Sequence, residues 1–217
     1  MKTFALYFFL LAGGLWHVLD VLQDVMRITA GPVVMFLAVW ILVEYLLMHR
    51  SENLGTWSRN VYVWSAIVVV STFLIEYAGV VTGKVFGPYE YGPTLQPQLL
   101  AVPISIGFAW LGMLLSSAAI MQKLLKDRKI NDVLFASGIA LFMVLFDLVM
   151  EPAAVALNYW NWFGASIPLQ NYAAWFGIGF LLAMLGLKNG ALKKKQPMLA
   201  IHAYTAQLLY FAIVLMK

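Results

Sequence analysis

An all-α integral membrane bundle of about seven transmembrane helices is the fold this sequence predicts, and three observations predict it. Of 217 residues, 63% are hydrophobic and 11% charged, against about 25% charged in an ordinary soluble domain. Seven apolar runs, 4–22, 28–48, 61–81, 99–121, 133–157, 172–187 and 198–216, approach the length needed to cross a hydrocarbon core, which is roughly 20 residues for about 30 Å. They use up the chain, so residues 1–217 read as one polytopic domain. Sorted by loop parity, eleven of the 14 Lys and Arg fall on one side, and Arg27, Lys84 and Lys217 on the other. That bias puts the N-terminus in the cytoplasm and the C-terminus outside, in a multi-pass protein of the cytoplasmic (inner) membrane. The runs "KLLKDRK" and "LKNGALKKK" are then solvated turns beside anionic headgroups, and the formal charge of +4 is no sign of nucleic acid.

The first run begins with Lys2 and "TFALYFFLLAGG", which imitates a signal peptide. Its apolar register continues through Leu15, Val18 and Leu22, and His17 and Asp20 would be odd in a discarded leader, so it is read as helix one. The second run carries Glu44. The third ends in Glu76, with Gly79 and Gly83 on the same face, so bare backbone lets a helix or a flat ligand approach. The fourth holds Trp110. In the fifth, Asp147 and Glu151 are spaced i, i+4 on one face. Pro152 follows, removes a backbone donor and frees the Leu148 carbonyl, which predicts a kink that opens space beside the acids. The sixth follows the loop "NYWNWFGASIPLQNY" at 158–172, and the seventh, "MLAIHAYTAQLLYFAIVLM", contains His202.

With helices one, three and five running outward, His17, Asp20, Glu76, Asp147 and Glu151 converge near the outer half of the membrane. Residues 76–93 and 158–172 join them there, while Glu44 and His202 stay on the cytoplasmic side. An ionisable group within a span is costly and is a functional candidate by default. For Asp20 alone, pairing at the interface is an adequate account. Three acids from two helices at one level point to function.

Several chemistries are disfavoured. The seventh run has no internal lysine for a retinal Schiff base, and His17 and His202 lie too far apart to hold a haem. One Asp147–Glu151 pair with Lys84 is a weak site for magnesium and diphosphate. There is no cysteine, GxGxxG, P-loop or HExxH, so no cofactor and no metal are expected. What remains is acid chemistry on an apolar molecule. A protonated acid gives its proton to an alkene, and burial beside other carboxylates keeps one acid protonated near neutral pH. An aromatic wall holds the cation. Water steered by a second carboxylate or by Asn171 then attacks, with Lys84 or a tyrosine stabilising the conjugate base.

At the same residues the chain resembles the carotenoid hydratases of the CruF type. "EYAGVVTGKVFGPYEYGPTLQPQLLAVP", residues 76–103, is similar to that family's E, G, TG, FG and Tyr-rich turn, followed by VP and a helix with Trp, here Trp110. "DLVMEPAAVALNYWNWFGASIPLQNYAAWF", residues 147–176, is similar to its D-x-x-x-[D/E]-P, W-x-W and P-x-x-N-Y/F with a following Trp, although Ala153 and Ala154 stand where bulkier residues are expected. The resemblance implies cofactor-independent hydration of the terminal double bond of an acyclic carotenoid end, in γ-carotene, lycopene or a longer carotenoid. Carried over by position, the motif acids are Glu76, Asp147 and Glu151. The motif polar and aromatic residues are Lys84, Tyr89, Tyr91, Trp160, Trp162, Asn171 and Trp175, with His17 and Asp20 added from their level in the membrane.

Residues 76–93 are then a Gly/Pro-bent lid that brings Glu76, Lys84 and the tyrosines to the acids of helix five. The expected partners are a carotenoid substrate and membrane lipid, with the cytoplasmic turns open to other enzymes of the pathway. A carotenoid cyclase, which also begins by protonation, and a carotenoid-binding or transport protein are the alternatives.

Overall fold

The computed structural model describes residues 1–50, 55–126, 128, 130–164 and 166–217. Asp127 and Lys129 of the 123–129 basic run and Ala165 of the 158–172 loop lie outside them. Seven helices occur among the described residues: α1 (Lys2–Val18), α2 (Gln23–Met48), α3 (Gly55–Thr82), α4 (Ser105–Leu125), α5 (Asp132–Ala156), α6 (Leu169–Lys188) and α7 (Met198–Val214). Five of them, α2 to α6, are long and apolar enough to cross a membrane, and the chain is a multi-pass membrane protein. The terminal helices α1 and α7 are apolar but have 17 residues each, a rise of about 25 Å.

Two helix limits differ from expectation. The first helix stops at Val18, because Asp20 and Leu22 adopt φ of 55° and 53° and turn the chain directly into α2. The fourth begins at Ser105 rather than 99, behind a short antiparallel hairpin of β2 (Gln98–Leu99) and β3 (Val102–Pro103). Leu100 and Ala101 at its turn have φ of 54° and 61°, the left-handed pair of a two-residue hairpin. Pro97 and Pro103 bias the residues before them toward extended backbone, which keeps the helix from starting earlier. In contrast, α5 continues through Pro152 to Ala156, so both of its acids sit on one unbroken helix. Its start is capped by the Asn131 side chain, which accepts from the Leu134 amide at 2.8 Å.

Helix α4 forms the centre, packed by α2, α3, α5 and α7. Lipid offers no hydrophobic drive between helices, so close approach at small residues has to supply contact. A Cβ on Gly107 of α4 would stand 2.4 Å from the Val69 carbonyl oxygen of α3. The inward stripe of α3 is Val61, Trp64, Ser65, Val68, Thr72, Glu76 and Gly79, a spacing of three and four residues. Glu76 is therefore aimed at the core by the same pattern that packs the helix. On α5 the stripe of Ala140, Met143, Phe146, Asp147, Met150 and Glu151 does the same for the other two acids. Helix α1 packs on α7 and touches α2 little.

Candidate active site

Two three-residue strands carry the aromatic side of the site. β1 (Tyr89–Tyr91, "YEY") pairs antiparallel with β4 (Trp160–Trp162, "WNW"), with Tyr89 opposite Trp162, Glu90 opposite Asn161 and Tyr91 opposite Trp160. Side chains alternate along a strand, and directly paired residues share a face. All four aromatics therefore point one way, toward the acids, while Glu90 is exposed on the other face. The ribbon continues at Gly92, whose amide donates to the Tyr159 carbonyl at 2.8 Å. A Cβ at Gly92 would lie 2.1 Å from the Asn158 carbonyl oxygen, so only glycine fits there.

Glu76 is buried and accepts three hydrogen bonds. Tyr89 and Tyr91 donate to Oε2 at 2.6 and 2.8 Å, and Trp110 Nε1 donates to Oε1 at 3.0 Å. Glu151, also buried, accepts from Trp160 and Trp162 Nε1 through Oε2 at 3.0 and 2.9 Å, and from Asn171 Nδ2 through Oε1 at 3.2 Å. The same Asn171 Nδ2 donates to Asp147 Oδ2 at 2.7 Å, and Asp147 Oδ1 is buried without a partner. With its amide hydrogens shared between two acids, Asn171 has its carbonyl left to offer. Burial, followed by the neighbouring Glu76 carboxylate, pushes the Tyr89 and Tyr91 phenols up from their ordinary value, so both keep their O–H.

Glu76, Glu151 and Asn171 line one cavity with Tyr89, Tyr91, Trp160, Trp162, Trp175, Phe86 and Ile106. The space among these side chains is about 280 Å³ counting its open side, with room for a water. Trp175 stacks on Trp110 with centroids 4.2 Å apart, which holds the indole that donates to Glu76. The bare face at Gly79 is filled from within the chain: a Cβ there would be 2.9 Å from the Phe86 ring and 3.4 Å from the Tyr89 hydroxyl.

Nine of the twelve expected residues thus meet: Glu76, Asp147, Glu151, Tyr89, Tyr91, Trp160, Trp162, Asn171 and Trp175. Three do not. Lys84 is exposed, with its backbone carbonyl accepting from Gln170, because the Gly83 turn at the end of α3 sends the chain outward before β1 returns. Asp20 forms an ion pair with Lys217. His17 lines a separate chamber with Asn158 and Tyr159. Trp110, Phe86 and Ile106 are additions. A tryptophan in an apolar helix reads as packing, and only its position after the VP of the first motif block marked Trp110.

The sequence model of a family described as carotenoid biosynthesis protein matches residues 30–217. Over 130 residues the chain is 30% identical to the bisanhydrobacterioruberin hydratase of Haloarcula japonica, a match that covers 56% of this chain and 44% of that protein. The chain therefore spans less than half the length of this curated relative. No solved structure matches the chain.

Proposed function

Because the chain belongs to the carotenoid biosynthesis protein family, we propose that it is a carotenoid hydratase. In this reading it adds water to the terminal C1,2 (1′,2′) double bond of an acyclic end group, as in lycopene or γ-carotene, without a cofactor. The relative from Haloarcula japonica bears hydration in its name. The observation that carries the reading is a cavity walled by aromatics and lined by both Glu76 and Glu151.

The role of each acid follows from what its partners are able to do. An indole N–H only donates, whereas a phenol donates or accepts. Glu151 Oε2, which holds two indoles, is therefore an acceptor only. Glu76 is able to carry a proton on Oε2 and keep both tyrosines, one hydroxyl accepting from it while the other goes on donating to Oε2. Once the proton leaves, both hydroxyls donate. Glu76 is accordingly the proton donor. Its proton goes to the CH carbon of the double bond, the π electrons form the new C–H bond, and the other carbon becomes a tertiary cation.

The Glu151 carboxylate and the aromatic faces stabilise that cation. A water held by Glu151 and the Asn171 carbonyl bonds to the tertiary carbon and gives up a proton, which returns to Glu76 through the cavity. The sum is addition of one water, with nothing oxidised or reduced. Asp147 takes the second share of the Asn171 amide and positions it. The bias of eleven bases against three supports a cytoplasmic N-terminus in the inner membrane. The cavity then lies toward the outer face and the polyene extends along the bundle.

Cyclisation also begins with protonation but needs water kept out, and the name of the Haloarcula japonica relative favours hydration. Expression in cells that make lycopene or γ-carotene, followed by mass spectrometry of the extracted pigment, tests the reading. A gain of one water is expected. An isomer of unchanged mass with a new ring would identify a cyclase, and unaltered pigment that co-purifies with the chain would identify a binding protein.

A further inference from the structure

Where α1 turns into α2, a chamber of about 400 Å³ is lined by His17, Gln23, Arg27, Thr94 and Asn158, among others. It shares Met26, Tyr159 and Tyr210 with an apolar trench of about 540 Å³ between α1 and α2. The trench follows α2 from Val25 to Trp40, roughly 22 Å at 1.5 Å per residue. Starting at an interface, that length passes the midplane of a hydrocarbon core about 30 Å thick, the reach of a phospholipid acyl chain.

Two polar groups at the chamber end are left over. His17 is 8% exposed, and its Nδ1 is buried with no hydrogen-bond partner, a costly condition for a ring nitrogen. The Arg27 guanidinium makes no hydrogen bond or ion pair with any described residue, including Asp24 one turn earlier. Asp20 pairs with Lys217, whose Nζ also donates to the His17 carbonyl, and Asp24 is exposed and makes no ion pair among the described residues. Arg27 is thus a cation without a partner among the described residues, lining the same chamber as an unsatisfied imidazole, at the head of an apolar trench.

We infer that chamber and trench bind one anionic membrane phospholipid, its phosphate on Arg27 and His17 and one acyl chain between α1 and α2. A carotenoid hydrocarbon would fill the trench but has no anion for Arg27. The site is separate from the carboxylate cavity and does not rest on the hydration reading.

Trp16 and Trp40 line the trench, and brominated acyl chains quench tryptophan on contact. The test titrates brominated phosphatidylglycerol or brominated phosphatidylcholine into the purified full chain in unlabelled phosphatidylcholine nanodiscs. Saturable quenching by the anionic lipid alone is expected. Arg27→Gln, an exposed position, should weaken its apparent affinity about tenfold, the loss of one charge-assisted contact. Ala30→Phe, which fills the trench, should abolish the saturable component while the thermal unfolding temperature stays in place. Equal quenching by both lipids, an unchanged affinity in Arg27→Gln, or displacement of the lipid by one equivalent of lycopene would overturn the inference.

Discussion

Replacing one carboxylate oxygen by an amide has different consequences at Glu76 and Glu151, because their partners differ. In Glu76→Gln the new NH2 group is able to face the Tyr89 and Tyr91 hydroxyls, which accept, while the amide oxygen keeps Trp110. The variant should unfold at nearly the wild-type temperature and lose at least about a hundredfold in hydration rate, the scale of a missing general acid. In Glu151→Gln the oxygen has to stay on the two indoles, which turns the NH2 toward the Asn171 amide, donor against donor. That variant should lose activity and also about 1–3 kcal/mol of stability, the cost of a buried polar group left unpaired. Trp160→Phe and Trp162→Phe each keep an aromatic ring, smaller than the indole, but remove one N–H. Each should slow hydration about tenfold or more, since a hydrogen bond to a charged group contributes about 1.5–3 kcal/mol. Thermal unfolding measured beside pigment turnover separates the two kinds of loss. Much of this residue-level picture was legible. Asp147 and Glu151 share a helix face by spacing, and Glu76 ends the buried stripe of α3. The donor set around each acid was not, because it depends on Trp110 from α4 and Asn171 from α6, whose approach no local pattern encodes.

At the scale of elements, the β1–β4 ribbon is the device that brings tyrosines and tryptophans from two distant segments to the same acids. Its fit at Gly92 has no slack. Gly92→Ala should therefore separate the ribbon from residue 158 and reduce both hydration and stability. Gly177→Ala in α6, where a Cβ meets nothing within 4 Å, should be neutral or slightly stabilising, as expected for removing glycine from a helix interior. Thermal unfolding and pigment conversion of the two variants side by side check this contrast. The alternation in "YEY" and "WNW" was a readable signal of two short strands. It is easily passed over because three residues between Gly and Pro look like turn, and because strand pairing across residues 91–160 is non-local. The bent-lid expectation was right that this segment carries the tyrosines inward. It erred on Lys84, which leaves at the Gly83 turn before the strand begins.

For the whole molecule, hydropathy located the seven helices of the described residues, five of them long enough to span, because burial in lipid leaves a pattern along the chain. His17 and Asp20 show where that pattern stops. They stand apart from the acid cluster because α1 packs on α7, a choice of neighbour that composition does not encode. Orientation was read from charge and is open to direct labelling, since the chain has no cysteine. In intact cells, a membrane-impermeant thiol reagent should label Glu90→Cys and spare Lys193→Cys, and the reverse would invert the topology. The family resemblance seen in residues 76–103 and 147–176 agrees with the family match over 30–217. The central claim, that the Glu76 and Glu151 cavity adds water to an alkene, is tested most directly with the purified protein and lycopene in water enriched in oxygen-18. The account predicts a product carrying one heavy oxygen, formed equally well without dioxygen, and no product from Glu76→Gln. Oxygen drawn from dioxygen, or undiminished product from Glu76→Gln, would contradict it.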